Sequence, residues 1–324
     1  MSTVASTLAA YRFDDQHPEA SDFFAEVIQG LQQTPMMIPP KFLYNEKGSQ
    51  IFDSICESED YYPTRTEKQL LRDKIDEIGQ YLGQGSLLVE PGSGNSQKAR
   101  LLLDAIKPHT YLPMDISQKY LQKEAKKVAA EYPWLNVYAV CADYTTPIEL
   151  PDISHTQHKV AFFPGSSIGN FEPEDATDFL RNIAQTVGSK GGLLIGVDLQ
   201  KDTELLETAY NDSEGHTAAF NLNLLTRINN DLGANFSVDG FRHVAFYNKE
   251  SSRVEMHLVC TQAHQVTIGE HVFDFEVGDD IHTECSYKYS VQSFQDLAKK
   301  AGFTAKDVWI DEGELFSLHY FEVE

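Results

Sequence analysis

Apolar positions recur at helical spacing over residues 19–33 (EASDFFAEVIQGLQQ) and 64–82 (TRTEKQLLRDKIDEIGQYL), which predicts a helical front to the chain. The second segment opens on Thr64 with Glu67 three residues later, the pattern of a capping box. From Ser86 the texture changes. Short apolar runs (SLLVE, HTYLPMDIS, NVYAVCADY, KVAFF, GGLLIGVDL) alternate with helix-like segments such as SQKYLQKEAKKVAAEYP and 173–187. Strand alternating with helix predicts an α/β fold with a parallel, doubly wound sheet. After Asp198 the alternation breaks: a helical stretch over 202–232 precedes strand-like pieces at 241–249, 253–261 and 271–276, the first two joined by the turn-like KESS. The tail reads as a helix from Ser293 and then two strands around a glycine, a hairpin placed to return to the edge of the first sheet. The chain therefore divides into a helical segment 1–60, a Rossmann-like unit of 61–200 with 287–324, and an inserted α+β unit of 201–286.

Charge narrows the function. The chain has 26 Lys and Arg against 49 Asp and Glu, a net charge of −23, which disfavours nucleic acid as a partner because phosphate backbones need concentrated positive charge. No run approaches the roughly 20 apolar residues of a membrane helix, and the opening residues lack the basic start of a leader peptide. Cys56, Cys141, Cys260 and Cys285 are scattered without C-x-x-C spacing, as expected of reduced thiols in a cytoplasmic protein. The eleven histidines show no H-E-x-x-H cluster, so no metal is expected. A small-molecule partner and a monomeric state are the expectations, with neither nucleic acid nor membrane.

In an open parallel sheet, ligands bind at the carboxyl ends of the strands. Gly92 and Gly94 follow the first such strand and permit a tight turn with close backbone approach. Asp115, ending the next strand, lies at about the spacing from that turn at which an acid meets a ribose hydroxyl. Asp143 ends the one after, where a carboxylate can accept from an adenine amino group. These features describe a nucleoside pocket. The dinucleotide fingerprint G-x-G-x-x-G fails at its third glycine, where Gln97 stands, so a nucleoside without pyrophosphate fits better. S-adenosylmethionine is the candidate.

At this point the residues resemble the histidine-specific Nα-methyltransferases of the ergothioneine pathway. The resemblance spans almost the whole chain and rests on PPKFLYNEKGSQIFD (39–53), YYPTRTE (61–67), EPGSGNSQK (90–98), PGSSIGN (164–170), D-x-x-K-D-T (198–203), AYNDSEG-x-TA-x-FN (209–221) and TECSYK (283–288). It implies a class I S-adenosylmethionine methyltransferase fold with an inserted substrate-binding domain, and trimethylation of L-histidine to hercynine. By the same resemblance, Gly92 and Lys98 border the methionine end of the cofactor, Asp115 its ribose, and Asp143 with Tyr144 its adenine. Tyr44, Tyr61, Asn170, Tyr210, Met256, Glu284 and Ser286 surround the amino acid.

The chemistry of these side chains agrees with those implied roles. Methyl transfer from a sulfonium needs a neutral amine held in line, and no covalent nucleophile. Asn170 and Tyr210 are uncharged donors suited to a carboxylate, and Glu284 and Ser286 can accept from and donate to the two imidazole nitrogens. Two apart in a strand, the last two share a face. Tyr44 is the candidate for orienting or deprotonating the amine. Taken singly, each residue is an ordinary packing or surface group; the ordered set changes that reading. The competing readings are the same chemistry on another aromatic amino acid such as tryptophan, and a non-catalytic cofactor-binding regulator.

Overall fold

Each apolar run after Ser86 becomes a strand of one sheet. The structure, a computed structural model, describes residues 11–16, 20–145 and 158–324. The first ten residues, read above as lacking a leader, lie outside the described residues. The first half of the chain forms β1 (Tyr11–Asp15), α1 (Ala20–Gln32), β2 (Met36–Met37), α2 (Glu46–Glu57), α3 (Tyr62–Leu82), β3 (Leu87–Pro91), α4 (Gln97–Ile106), β4 (Thr110–Asp115), α5 (Gln118–Glu131) and β5 (Asn136–Cys141). There follow β6 (Lys159–Phe163), α6 (Pro173–Val187), β7 (Gly192–Asp198), α7 (Thr203–Tyr210), α8 (His216–Leu232), β8 (Phe241–Asn248), β9 (Arg253–Cys260), β10 (His264–Ile268) and β11 (His271–Phe275). The chain closes with β12 (Asp280–Tyr287), α9 (Val291–Lys300), β13 (Phe303–Ile310) and β14 (Phe316–Val323).

Among the described residues the large sheet has eight strands in the order β1-β5-β4-β3-β6-β7-β14-β13. The first six run parallel, and the closing hairpin adds antiparallel to β7. β3 and β7 are buried along their whole length, as expected of strands covered on both faces. One apolar cluster joins α3, α4 and α5 to one face, and another joins α6 and α9 to the other. A second sheet, β2-β12-β9-β8, and the β10–β11 hairpin account for the later strands. Its core takes Val27, Leu43 and Tyr62 from the front of the chain together with Leu224, Met256 and Leu258.

Three local expectations are corrected. The front is not wholly helical, because β1 pairs in parallel with β5 at the sheet edge, Tyr11 against Val137; five residues gain strand structure from a partner far along the chain. The 202–232 stretch is two helices. Asp202 caps α7 by accepting from the Glu204 N–H, and Asp212 accepts from the N–H groups of His216 and Thr217 to begin α8. Nor do Thr64 and Glu67 cap a helix, since α3 already starts at Tyr62 with Pro63 in its first turn. The fully buried Glu67 carboxylate accepts instead from the Gly165 N–H and pairs with Lys98. A Cβ on Gly196 would sit 2.0 Å from Glu67 Oε1, so β7 passes this carboxylate without a side chain.

Glu90 is the second buried acid of this region, beside the hydroxyl of Tyr111. Burial pushes its carboxyl up to about 8, outweighing the Tyr111 hydrogen bond that pulls the other way. A carboxyl raised on folding contributes stability that is full below its ordinary value of 4.5 and is lost as pH rises through about 8. Glu90→Gln is therefore expected to match wild type near pH 5 and to melt at higher temperature near pH 9. A Tm difference that does not change with pH removes this explanation.

Candidate active site

The chain runs from β3 outward through β4 and β5, then crosses back to β6 and β7 on the other side of β3. The crevice at the carboxyl ends of β3 and β6 is thus the point where winding reverses. A cavity of about 770 Å³ opens there, walled by the loops after β3 to β6, by the segment before α2, and by β12. Of the residues singled out above, Tyr44, Gly92, Asp115, Asp143, Tyr144, Asn170 and Glu284 lie on its wall. Tyr61, Lys98, Tyr210, Met256 and Ser286 do not; the last two are almost wholly buried.

One end of the cavity is built by the turn after β3. Gly92 and Gly94 have φ of 65° and 50°, the left-handed region that side chains disfavour. The Gly94 N–H donates to Asp115 Oδ2 at 3.0 Å and the Ser117 N–H to Oδ1 at 2.9 Å. Burial raises the Asp115 carboxyl in spite of these bonds. Asp143 is held differently. Burial works to raise it, but donors from Thr145 and the Lys41 ammonium at 3.1 Å bring it below the usual range. Lys41 also pairs with Glu26 at 3.0 Å, tying α1 to this strand end. Tyr144 packs on Phe163 and Phe179 and closes over Gly92, where a Cβ would come within 3.3 Å of its ring.

The opposite end is aromatic. Tyr44 stacks edge-on against Phe52 and Phe220, and Tyr61 against Tyr210. Burial drives the Tyr44 phenol well above its ordinary value, with the Glu284 charge acting in the same direction. It is a neutral group at any working pH. Asn170, ending the tight turn after β6, donates its amide to Glu284 Oε2 at 3.3 Å. Burial pushes Glu284 up to about 7, with Lys288 opposing. Met256 faces Glu284 across the β9–β12 pair, in the core beneath the site. Behind the wall, the Tyr210 hydroxyl and Ser286 Oγ are 2.8 Å apart.

Sequence reasoning missed a buried ionic layer. Lys288 pairs with Asp198 at 2.7 Å, and Asp198 also receives Lys201 at 2.5 Å and the Tyr62 hydroxyl at 2.8 Å. All of these residues stand inside the blocks quoted above, as do Lys41 and Glu67; only Asp198 is marked in sequence, as a charge ending an apolar run. Among the described residues Glu255, His257 and His282 bring possible metal-ligating atoms within 4.8 Å of one another. The two imidazoles stack, 18° from parallel with centroids 4.8 Å apart, and Arg253 holds Glu255 at 2.8 Å.

The family described as histidine-specific methyltransferase, SAM-dependent, matches this chain over residues 23–323. The chain is 37% identical over 318 residues to the histidine N-alpha-methyltransferase of Mycolicibacterium smegmatis, covering 96% of this chain and 98% of that protein. It is 31% identical over 295 residues to the ergothioneine biosynthesis protein 1 of Neurospora crassa, covering 88% of this chain and 33% of that one. Identity to the 4-dimethylallyltryptophan N-methyltransferase of Claviceps purpurea is 27% over 317 residues, covering 89% and 91%.

The Glu67–Lys98 pair, 2.5 Å apart, lies where the loops after β3 and β6 meet. Removing one partner of a buried pair leaves an uncompensated charge and costs about 3–5 kcal/mol. Lys98→Met is expected to lose about that much in urea denaturation, and adding Glu67→Gln to recover a large part. Equal losses in the single and double variants would show that the pair does not hold these loops.

Proposed function

The chain belongs to the histidine-specific, SAM-dependent methyltransferases, and from that membership we propose that it adds three methyl groups in turn to the α-amine of L-histidine, yielding hercynine for ergothioneine synthesis. The observation that carries the choice of histidine is Glu284, a buried carboxylate on the cavity wall with the Asn170 amide on one oxygen. A ring N–H is the neutral donor that satisfies such a group, and an aliphatic side chain leaves it unpaired. The same wall offers Asn170 to the amino acid's carboxylate.

S-adenosylmethionine, when bound, supplies an electrophilic methyl group on sulfur. The other end of the cavity fits such a nucleoside. The glycine turn leaves room for close approach, Asp115 presents a carboxylate oriented by two backbone N–H groups, and Asp143 offers a second acceptor. The work of the chain is positional. The Tyr44 hydroxyl, neutral and without a hydrogen bond to any described residue, is free to orient the amine and to pass its proton outward. Its raised pKa excludes a standing phenolate base, so the amine must arrive deprotonated or lose its proton along a chain of neutral groups.

Four outcomes are expected. Mass spectrometry of the twenty amino acids incubated with enzyme and S-adenosylmethionine is expected to find histidine carrying one, two and three methyl groups. Tryptophan as the product-forming substrate would redirect the assignment. The rate should climb from about pH 6 towards about pH 9, since only the free amine has a lone pair and Glu284 becomes a carboxylate as pH passes about 7. Glu284→Ala should lower kcat/KM for histidine by roughly 10–150-fold, the worth of a hydrogen bond to a charged group. Finally, S-adenosylhomocysteine should raise the Tm of wild type and raise that of Asp115→Ala far less; equal shifts move the nucleoside elsewhere.

A further inference from the structure

We propose that Lys288 is the positioning residue that makes the hydroxyls of Tyr210 and Ser286 donors toward the amino-acid substrate, and thereby sets the preference for a side chain with an unprotonated ring nitrogen. This rests on the histidine reading above. Lys288 is almost wholly buried, and nothing in the methyl transfer itself uses it. Its three N–H groups are all spent: on Asp198 Oδ2 at 2.7 Å, Ser286 Oγ at 2.8 Å and the Tyr210 hydroxyl oxygen at 3.1 Å. Lysine has donors only, so both oxygens must accept from it.

Hydrogen counting then leaves one proton over. Tyr210 and Ser286 share a single bond, 2.8 Å long, which uses one of their two hydroxyl hydrogens. The other has no acceptor among the described residues. With Tyr210 donating, Ser286 Oγ accepts twice and its own hydrogen must point away from both neighbours. Ser286 follows Glu284 by two residues on β12, so the two side chains share a face. The turn bearing Asn170 lies against it. A Cβ on Gly169 would come within 2.7 Å of the Tyr287 carbonyl oxygen and 3.3 Å of Ser286 Oγ. The unspent hydrogen thus belongs to the end of the site that holds Glu284 and Asn170.

A substrate that offers a carboxylate oxygen and a ring nitrogen takes up both hydrogens. The Tyr210–Ser286 bond opens, each hydroxyl turns to the substrate, and Lys288 still satisfies both oxygens. A ring N–H at that position, or a C–H, leaves the Ser286 hydrogen only the Tyr210 oxygen, which Lys288 already occupies and which is the poorer acceptor for it. The groups that face Lys288 (Asp198, Tyr210 and Ser286, with Lys201 and Tyr62 on Asp198) offer no other source of this polarity.

The test compares L-histidine with 3-pyrrolylalanine, which keeps a ring N–H and replaces the acceptor nitrogen by C–H. It uses full-length wild type, Lys288→Met, Ser286→Ala and the pair. Lys288→Met is expected to raise KM for histidine by about 10–100-fold, the scale of a lost charge-assisted bond, with kcat changed by less than about threefold. The histidine-to-pyrrolylalanine ratio of kcat/KM should fall about tenfold, because Ser286 can then return its hydrogen to a Tyr210 oxygen that no ammonium competes for. Ser286→Ala should cost much less in the Lys288→Met background than in wild type. The Tm shift given by S-adenosylhomocysteine reports that each variant is folded. Where Lys288→Met loses that shift, Asp198→Asn with Lys288→Met removes the stranded carboxylate and takes its place in the comparison. An unchanged ratio, or additive effects of the two substitutions, in a folded variant overturns the proposal. Wild type that leaves histidine unmethylated overturns the functional reading, and this proposal with it.

Discussion

An ammonium and a carboxylate shut away from water, 2.7 Å apart, join the two sheets of this protein. Asp198 ends β7 of the large sheet, and Lys288 follows directly on β12 of the smaller one. Burying two charges is costly unless each is fully hydrogen-bonded. Here Tyr62 and Lys201 complete the carboxylate, and Ser286 and Tyr210 complete the ammonium. Because Tyr62 comes from α3, Tyr210 from α7 and Ser286 from β12, the two charges hold these elements and β7 in one arrangement. The cavity between the sheets inherits its shape from that arrangement. Asp198 stays ionised against its burial because two lysines face it.

The site divides by chemistry. At the end built by the glycine turn the acids are oriented by backbone N–H groups and stay polar. At the aromatic end the walls are rings, and burial keeps phenols protonated and lifts Glu284 to about 7. Transfer of a cationic methyl group to a neutral amine suits this division, because the side chains named at the aromatic end are uncharged or acidic. Lys288 sits behind two hydroxyls and exerts its influence through them.

Much of this was legible in order along the chain. Runs such as KVAFF and GGLLIGVDL announce buried parallel strands, and Gly92, Asp115 and Asp143 converge because successive parallel strands end on the same edge. Convergence at strand ends is a local property of the fold. Depth is not. Ser286 and Met256 carry no mark that sets them behind the wall, while Glu284, two residues from Ser286, lies on it. Glu67 looked like a cap because Thr64 precedes it by three; its true partners, Gly165 and Lys98, are brought in by the fold. Similarly, YRFDD becomes a strand only through β5. A charged residue in sequence reads as solvated, and here the informative charges are the buried ones.

The strand that seals β7 is the last element of the described chain, although β7 itself is made long before it. Until β14 has been synthesised, one edge of an entirely buried strand presents unpaired N–H and C=O groups, with Leu318 and Tyr320 missing from the core beside it. The second sheet and its helices are complete by then, since β12 precedes β13. During synthesis the half that carries the smaller sheet can therefore gather first, while the large sheet waits with an open edge. That order makes the final hairpin a latch. A chain released without it leaves the β7 edge open to pair with a neighbouring molecule.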